Sequence, residues 1–293
     1  MNTAAPQRRK LFAMTAAAFA LLLIGPPGTA AAPENPVPVP ERLIAVAPGL
    51  YSGAEPVGDA HFAALAKRGV KTVISVDGPV PDAATARRHG LRTVHVPIGY
   101  DSVPADAAAT LHTVMIRFGP TANGPHADPG GVFVHCHHGK HRGPSAAAVC
   151  GLSVGLIDRS KAFALLDEAG LSPRYAGLRE SVRTFIPSDL SSVAQLPEAV
   201  PPAGLTAAMI EITALLDELE NSGSRTEETD GTRTAVRTLL TEALRESARL
   251  PDLPAAMRTD LHAAAALAER ADSLHGLTLL KQNCTRCHTK HRD

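Results

Sequence analysis

The spacing of hydrophobic positions changes once along the chain, and this change divides it into two regions. From about residue 43 to residue 186, short apolar runs alternate with helical stretches. The apolar runs are typical of buried strands and cover Val70–Val76, Arg92–Ile98 and Val132–Val134. The helical stretches cover His61–Lys67, Asp82–His89, Ala105–Phe118 and Arg142–Val149. Strands that alternate with helices indicate an α/β fold, a mainly parallel sheet covered by helices.

Beyond residue 204 the apolar spacing is helical almost throughout. Steps of four and three residues place one apolar face on a first helix, made by Leu205, Met209, Ile212, Leu216 and Leu219. The same spacing, over shorter runs, predicts three more helices around Val236–Leu244, Met257–Ala268 and Leu277–Cys287. Four short amphipathic helices suggest an all-α, up-and-down bundle. Between the two regions, residues 187–203 have four prolines and neither period, which predicts a linker.

The first 32 residues have the pattern of a secretory signal peptide. Arg8, Arg9 and Lys10 precede an apolar run of 14 residues, Leu11–Ile24, and three alanines follow at 30–32. That run is shorter than the roughly 20 residues a membrane-spanning helix needs. We therefore expect cleavage, a periplasmic or otherwise exported protein, and no stable membrane span afterwards. A proline-rich spacer, residues 33–42, comes next.

Length and charge limit the class of function. A chain of 293 residues with 44% hydrophobic content is long enough for two packed domains. We place the α/β region at residues 43–186 and the helical region at residues 204–293. The formal charge is zero, and loss of the three basic residues of the signal leaves 26 basic against 29 acidic residues, or −3. A broad basic surface for nucleic acid is therefore not expected.

The loop after the third apolar run, His135–Arg142, holds a cysteine and an arginine separated by five residues. This spacing lets the loop curl so that its backbone N–H groups point at one anion. Arg142 can grip two phosphate oxygens with its forked guanidinium, and the following helix adds its positive dipole end. The same field favours the thiolate of Cys136, which makes it a nucleophile. Gly139 permits the turn, and His135 can hold the loop by hydrogen bonds.

This segment resembles the signature loop of the cysteine-dependent tyrosine and dual-specificity phosphatases, and the resemblance extends over about residues 50–185. It implies that Cys136 attacks phosphorus and that Arg142 binds the phosphoryl group. It also implies that an aspartate in the loop after the preceding strand protonates the leaving oxygen. Asp101 occupies the matching position, and Asp106 is the alternative. The expected substrate is phosphotyrosine or another phosphorylated ligand, protein or small molecule.

Two features of the loop qualify this resemblance. Gly143 stands where the family usually has Ser or Thr, whose hydroxyl helps the thiolate leave. A phosphate-binding protein that does not hydrolyse its ligand is therefore the alternative function. The loop is also unusually basic, as in members that act on multiply phosphorylated ligands such as inositol phosphates. Its predicted phosphate-binding residues are His135, His137, His138, Gly139, Lys140 and His141. Solvated surface histidines, or a metal site built from the loop histidines, are the other interpretations.

The C-terminal segment Cys284–His288 has the spacing Cys-x-x-Cys-His, the attachment signature of c-type haem. Cys284 and Cys287 would each form a thioether with the haem, and His288 would be the proximal iron ligand. A structural zinc site that uses His291, or a plain disulfide, are the alternatives. The motif ends the last of four helices and so resembles cytochrome c-prime and c-556 bundles, with a minimal class-I-like haem domain as the other form. The implied cofactor is covalent haem c.

The bundle also suggests a sixth iron ligand. The first helix of an up-and-down bundle runs antiparallel to the fourth, so its start lies beside the end of the fourth. Met209, near that start, is therefore expected at the level of His288, unless it only fills the core. Met257 meets the same condition, and His262 is less suitable. The sequence predicts an exported phosphatase with a haem module for electron transfer or for redox or gas sensing, and a periplasmic redox partner. The alternative is a haem-linked sensor or electron-transfer protein that does not hydrolyse phosphate.

Overall fold

The computed structural model describes Met1 and residues 38–187, 192–222 and 230–291. Residues 2–37 lie outside the described part, and they include nearly all of the predicted signal peptide (1–32) and half of the predicted spacer (33–42). Export therefore stays a prediction. Contacts group the described residues from 38 onward into one compact unit. Among the helices of the described ranges, none is long and apolar enough to span a membrane.

The α/β region is built on a five-stranded sheet. Its strands are β1 (Ile44–Ala47), β2 (Leu50–Ala54), β3 (Val70–Ser75), β4 (Arg92–His95) and β5 (Gly131–Cys136). They lie in the order β1-β2-β5-β3-β4, and every neighbouring pair is parallel except β1 and β2. The predicted mainly parallel sheet is confirmed. Its carboxyl-terminal edge brings the ends of β2, β3 and β5 together.

Helices cover both faces of this sheet. They are α1 (Gly58–Lys67), α2 (Ala83–Arg88), α3 (Ala105–Phe118), α4 (Arg142–Ser153), α5 (Arg159–Ala169) and α6 (Ala176–Thr184). Because side chains alternate along a strand, Phe133 of β5 packs in the core beneath α1 and α2. Its neighbours Val132 and Val134 pack in the larger core under α3 to α6. A central strand buried on both faces reads as a continuous apolar run, as the sequence predicted.

The helical region consists of α7 (Leu205–Ser222), α8 (Asp230–Ser247), α9 (Ala255–Ala268) and α10 (Leu274–His291). The apolar faces predicted from spacing form one core, in which Leu219, Leu240 and Leu280 are fully buried. The prediction of an all-α C-terminal region is therefore confirmed. Cys284 and Cys287 lie in the last turns of α10, as the spacing placed them.

The predicted linker lies along the edge of the sheet. Residues 192–203 of the linker contain no helix or strand. The backbone N–H of His95 in β4 donates to the carbonyl oxygen of Pro197 at 2.8 Å, and the N–H of Val200 donates to His95 Nδ1 at 3.0 Å. With Nδ1 as acceptor, His95 Nε2 donates to the carbonyl oxygen of Asp77 at 2.8 Å. These contacts direct the chain toward the carboxyl-terminal edge of the sheet.

Candidate functional site

The loop between Cys136 and Arg142 is fixed by one glycine. Cys136 ends β5 and Arg142 begins α4, so the loop joins a buried strand to a helix N-terminus. Gly139 has a φ of +66°, and a Cβ built there would lie 2.4 Å from the backbone nitrogen of Ala54. The loop therefore crosses the end of β2 so closely that only glycine fits. This confirms the turn predicted at this position.

Gly143 lies directly against the predicted nucleophile. A Cβ at this position would be 3.0 Å from the backbone nitrogen of Cys136 and 3.4 Å from its Sγ. The next hydroxyl in the helix, on Ser145, donates to the carbonyl oxygen of His141 at 2.9 Å. Neither residue therefore supplies a hydroxyl to the sulfur, which is consistent with the departure seen in the sequence.

Arg142 is buried, with 2% of its side chain exposed, and its guanidinium donates hydrogen bonds to four acceptors. Its Nη2 donates to Asp77 Oδ1 at 2.8 Å, to Glu246 Oε1 at 2.8 Å and to the hydroxyl of Tyr100 at 2.9 Å. Its Nη1 donates to the carbonyl oxygen of Ile98, and its guanidinium carbon lies 4.1 Å from the centre of the Tyr100 ring. The sequence predicts an arginine free to bind phosphate, whereas the structure pairs Arg142 with two carboxylates.

Asp77 is a site residue that sequence reasoning missed. It comes two residues after β3 and is 3% exposed. Burial alone would raise the pKa of Asp77, but the hydrogen bond from Arg249 and the charges of Arg142 and Arg249 lower it to about 2. Asp77 is therefore ionised under Arg142. In the sequence, its one signal is that it directly follows a predicted strand. That strand, β3, pairs with β5, so Asp77 lies at the same edge of the sheet as Cys136.

Two further charges come from the helical region. Arg249 donates from both terminal nitrogens to the two oxygens of Asp77, at 3.0 and 2.7 Å. Its Nη1 also donates to both oxygens of Glu246 at 3.2 Å. Arg142, Asp77, Arg249 and Glu246 thus form a group of two cations and two anions, which we call the four-charge cluster, and a third carboxylate, that of Glu55, lies 3.7 Å from Arg249 at its edge. Since Glu246 lies in the last turn of α8, this cluster joins the two regions of the chain.

A cavity of about 720 Å³ opens beside the four-charge cluster. Asp101 lines it together with Arg142, so the structure brings the predicted acid and the predicted phosphate ligand to one space. The Asp101 side chain is exposed and accepts from the hydroxyl of Ser102 at 3.0 Å. Asp106 is not in the lining, and its carboxylate accepts from the N–H of Ala107 at the start of α3. The geometry therefore favours Asp101 over Asp106.

The loop histidines carry less charge than the sequence suggested. Burial lowers the pKa of His141 to about 4, with further lowering by the charge of Lys140, and it lowers the pKa of His138 as well. His137 contacts Glu55 at 3.1 Å and packs on the ring of His138. In the described part of the chain, the clusters with metal-ligating geometry include one loop histidine at most. The loop is therefore less basic than predicted, and its histidines do not form a metal site together.

His135 does not hold the loop as predicted. It is 2% exposed, and neither ring nitrogen has a hydrogen-bond partner. Burial lowers the pKa of His135 to about 4, so the ring is neutral. Its backbone contributes instead, because its carbonyl oxygen accepts from the N–H of Val76 at 2.9 Å. The ring packs on Phe133 in a stacked arrangement, which a buried neutral imidazole tolerates.

A second cavity, of about 700 Å³, lies within the helical region. Cys284, Cys287 and His288 of α10 line it, and so do Met209 of α7 and Met257 of α9. Both methionines therefore share a cavity with His288, while their ligation of iron stays a prediction. His262 is not in the lining. All four cysteines are free thiols, so the disulfide alternative is not seen, and Cys150 is buried in α4 as expected.

The residues of this cavity fit a haem group. Both thiols, the imidazole of His288 and a thioether meet one largely apolar space of the size that ligand pockets have. Asn283 also lines it and has a buried side-chain oxygen without a hydrogen-bond partner. The ligand atoms of Asp260, Cys287 and His291 lie within 4.8 Å of one another, which keeps the zinc alternative open. His291 Nε2 and Asp260 are already paired at 2.8 Å.

Comparison with protein-family models gives no match, and neither does comparison with curated proteins. Among solved structures, TpbA of P. aeruginosa is similar, with 22% identity, 50% of this chain and 86% of that chain covered, and a TM-score of 0.39. A variant of TpbA in complex with phosphotyrosine covers 48% of this chain and 83% of its own, with 22% identity and a TM-score of 0.38. The catalytic core of the PP-IP phosphatase Siw14 of S. cerevisiae has 16% identity, 52% and 90% coverage, and a TM-score of 0.41. At these values the similarities assign no activity to this chain.

Proposed function

We propose that the α/β region is a cysteine-dependent phosphatase that hydrolyses phosphomonoesters. The observation that carries this proposal is the loop from Cys136 to Arg142, which curls at Gly139 between a buried strand and the N-terminus of α4. The backbone N–H groups of such a loop bind one anion, and the helix dipole stabilises a thiolate at its base. Phosphotyrosine or another phosphorylated ligand is the expected substrate class. Arg142 and Asp101 line the adjoining cavity, whereas Cys136 is buried outside its lining.

The reaction takes two displacements at phosphorus. The Cys136 thiolate attacks phosphorus, the bond to the leaving oxygen breaks, and protonated Asp101 gives that oxygen its proton. The Asp101 carboxylate then takes a proton from water, and the water oxygen displaces the thiolate and releases phosphate. Arg142 pairs with the phosphoryl oxygens in both steps, since its fork matches two of them.

The test is turnover of p-nitrophenyl phosphate by the full exported chain. We expect Cys136→Ala to abolish turnover. Cys150→Ala removes a thiol of α4 that is buried away from the loop and serves as the matched control. A Cys136→Ala protein that keeps wild-type turnover would show that the mechanism is wrong.

A phosphate-binding protein that does not complete hydrolysis is the second candidate. Gly143 favours it, because no hydroxyl from Gly143 or Ser145 meets the sulfur that must leave in the second step. Rapid-mixing kinetics separates the two functions. A single burst of about one equivalent of p-nitrophenol without further release identifies the stalled protein, whereas steady release identifies the phosphatase.

We further propose that the helical region binds haem c through Cys284 and Cys287, with His288 as the proximal iron ligand. We also propose that the protein is exported. Haem c would supply electron transfer, in exchange with a periplasmic redox partner, or redox or gas sensing. The cavity lined by these three residues supports this proposal, since it is far larger than a zinc ion needs. The test is the haemochrome spectrum and mass of the protein produced with haem-attachment machinery. One zinc ion per chain and no haem would support the Asp260, Cys287 and His291 site instead.

A further inference from the structure

The carboxylate of Glu246 occupies the guanidinium edge that a phosphoryl group would need. It accepts from Arg142 Nη2 at 2.8 Å and from Arg249 at 3.2 Å. Carboxylate and phosphate oxygens use the same guanidinium donors, so the two anions compete for Arg142. We propose that Glu246 is an internal ligand of Arg142 that a substrate phosphoryl group displaces, so that α8 sets the affinity of the loop for anions. This inference rests on the loop being a phosphate site.

Of the two carboxylates on Arg142, Glu246 is the one that can leave. Asp77 is 3% exposed and is held by both terminal nitrogens of Arg249, whereas the Glu246 side chain is 24% exposed and lines the 720 Å³ cavity. Removing Asp77 would take from Arg142 its most buried carboxylate partner and from Arg249 its bidentate partner, which is costly. Glu246 has a path to solvent. Asp77 therefore stays as the base of the cluster, and Glu246 is exchanged.

Charge favours the exchange. The four-charge cluster holds two cations against two carboxylates, with Glu55 at its edge 3.7 Å from Arg249, and Glu246 contributes one negative charge. A phosphoryl group with about −1.5 to −2 charges places more negative charge beside the same two arginines. Its oxygens also accept more hydrogen bonds than a carboxylate does. The site is therefore expected to discriminate against singly charged anions, which gain little over Glu246 itself.

Gly78 leaves the room that Glu246 fills. A Cβ built on Gly78 would lie 2.9 Å from Glu246 Oε2, and among the described residues other than its chain neighbours the one further atom within 4 Å is Glu246 Cδ. The substitution Gly78→Ala therefore presses on Glu246. It provides a second way to loosen the internal ligand without changing any charge.

The test is calorimetric titration of the full chain with inorganic phosphate. We expect Glu246→Gln to bind phosphate roughly tenfold more tightly, the change that follows from loss of one charge-assisted pair. Gly78→Ala should also tighten binding. Glu220→Gln is the matched control, since Glu220 of α7 pairs with Lys281 at 2.8 Å in the helical region. The phosphate affinity of this variant should equal that of the wild type. Thermal melts confirm that each variant is folded.

Three outcomes would overturn either the phosphate site at the loop or the role of Glu246. If Arg142→Lys and Arg142→Ala, both folded, leave phosphate binding intact in the Glu246→Gln background, the loop is not the phosphate site and the proposed function fails. If binding depends on Arg142 but Glu246→Gln is unchanged or weaker, only the role of Glu246 is wrong. If neither the wild type nor Glu246→Gln binds phosphate, Glu246 is not what excludes the anion, and the inference is overturned.

Discussion

Arg249 holds Asp77 with a forked pair of hydrogen bonds of 3.0 and 2.7 Å across 172 residues of sequence. The pair fixes the segment that follows α8 to the carboxyl end of β3. It also explains why Asp77 stays ionised when buried, because a bidentate guanidinium compensates for lost hydration. The floor of the candidate phosphate site is therefore made jointly by the α/β region and the helical region.

The pair predicts a specific loss of stability in acid. The folded-state pKa of Asp77 is about 2, below the ordinary value of 3.8. The ionised form therefore stabilises the fold above about pH 4, and this contribution of about 2 kcal/mol is lost as the pH falls toward 2. We expect Arg249→Ala to lower the melting temperature at neutral pH and to flatten its fall over this range. Arg245→Ala, which breaks a more exposed pair with Glu242 and Glu269, is the control. Equal acid profiles for Arg249→Ala and the wild type would contradict the coupling.

The position of Asp101 predicts a dependence on the leaving group. Asp101→Asn should lower kcat roughly 10²-fold with an alkyl phosphate, which needs a proton on its leaving oxygen. With p-nitrophenyl phosphate the loss should be much smaller, since that oxygen leaves without protonation. Asp106→Asn, which removes a carboxylate charge at the start of α3, should change neither rate. Equal losses on both substrates would remove Asp101 from the role of acid.

The close approach at Gly139 predicts a severe loop variant. Gly139→Ala adds a Cβ 2.4 Å from backbone atoms of Gly53 and Ala54, in addition to the strain of a φ of +66°. Gly155→Ala has the same strain, at a φ of +70°, with no atom within 4 Å of the new Cβ. We expect Gly155→Ala to cost about 1 kcal/mol of the free energy of unfolding and to keep phosphate binding. Gly139→Ala should cost more and lose phosphate binding. Similar effects in both variants would mean that the loop can move away from β2.

The two methionines of the helical cavity predict a spectroscopic difference. If Met209 is the sixth ligand of a bound haem, the wild type is low-spin, and Met209→Ala converts it to a high-spin spectrum with a lower reduction potential. Met257→Ala, which changes the same cavity from α9, should leave the spin state alone. An unchanged low-spin spectrum in Met209→Ala would exclude Met209. A high-spin wild type would exclude both methionines and favour gas binding.

The loop and the four long helices were predictable because their signals are local. The Cys-x5-Arg spacing, the preceding apolar strand and the following helix lie within 23 adjacent residues, 131–153. Helices α7 to α10 follow from a spacing that repeats over several turns. Strand β2 was not predicted as a strand because Ser52 and Gly53 interrupt its apolar positions, so neither a continuous apolar run nor a clear alternation marks it.

Tertiary contacts were not predictable in the same way. Nothing in the sequence near Glu246 or Arg249 indicates a site, because their partners Arg142 and Asp77 lie more than 100 residues away. Burial was equally hidden. It makes His135 and His141 neutral, whereas the sequence suggested a basic loop.

Helix α8 lines both cavities, with Leu244 in one and Glu246 in the other. Two residues along a helix are turned by roughly 200°, so these side chains project from opposite sides of one rigid rod. A rotation of α8 that moves one therefore moves the other. Thermodynamic linkage then requires reciprocity. If a ligand in the helical cavity changes the affinity for phosphate by some factor, phosphate changes the affinity for that ligand by the same factor. Phosphate titration of the wild type and of a variant changed in the helical cavity therefore measures this factor.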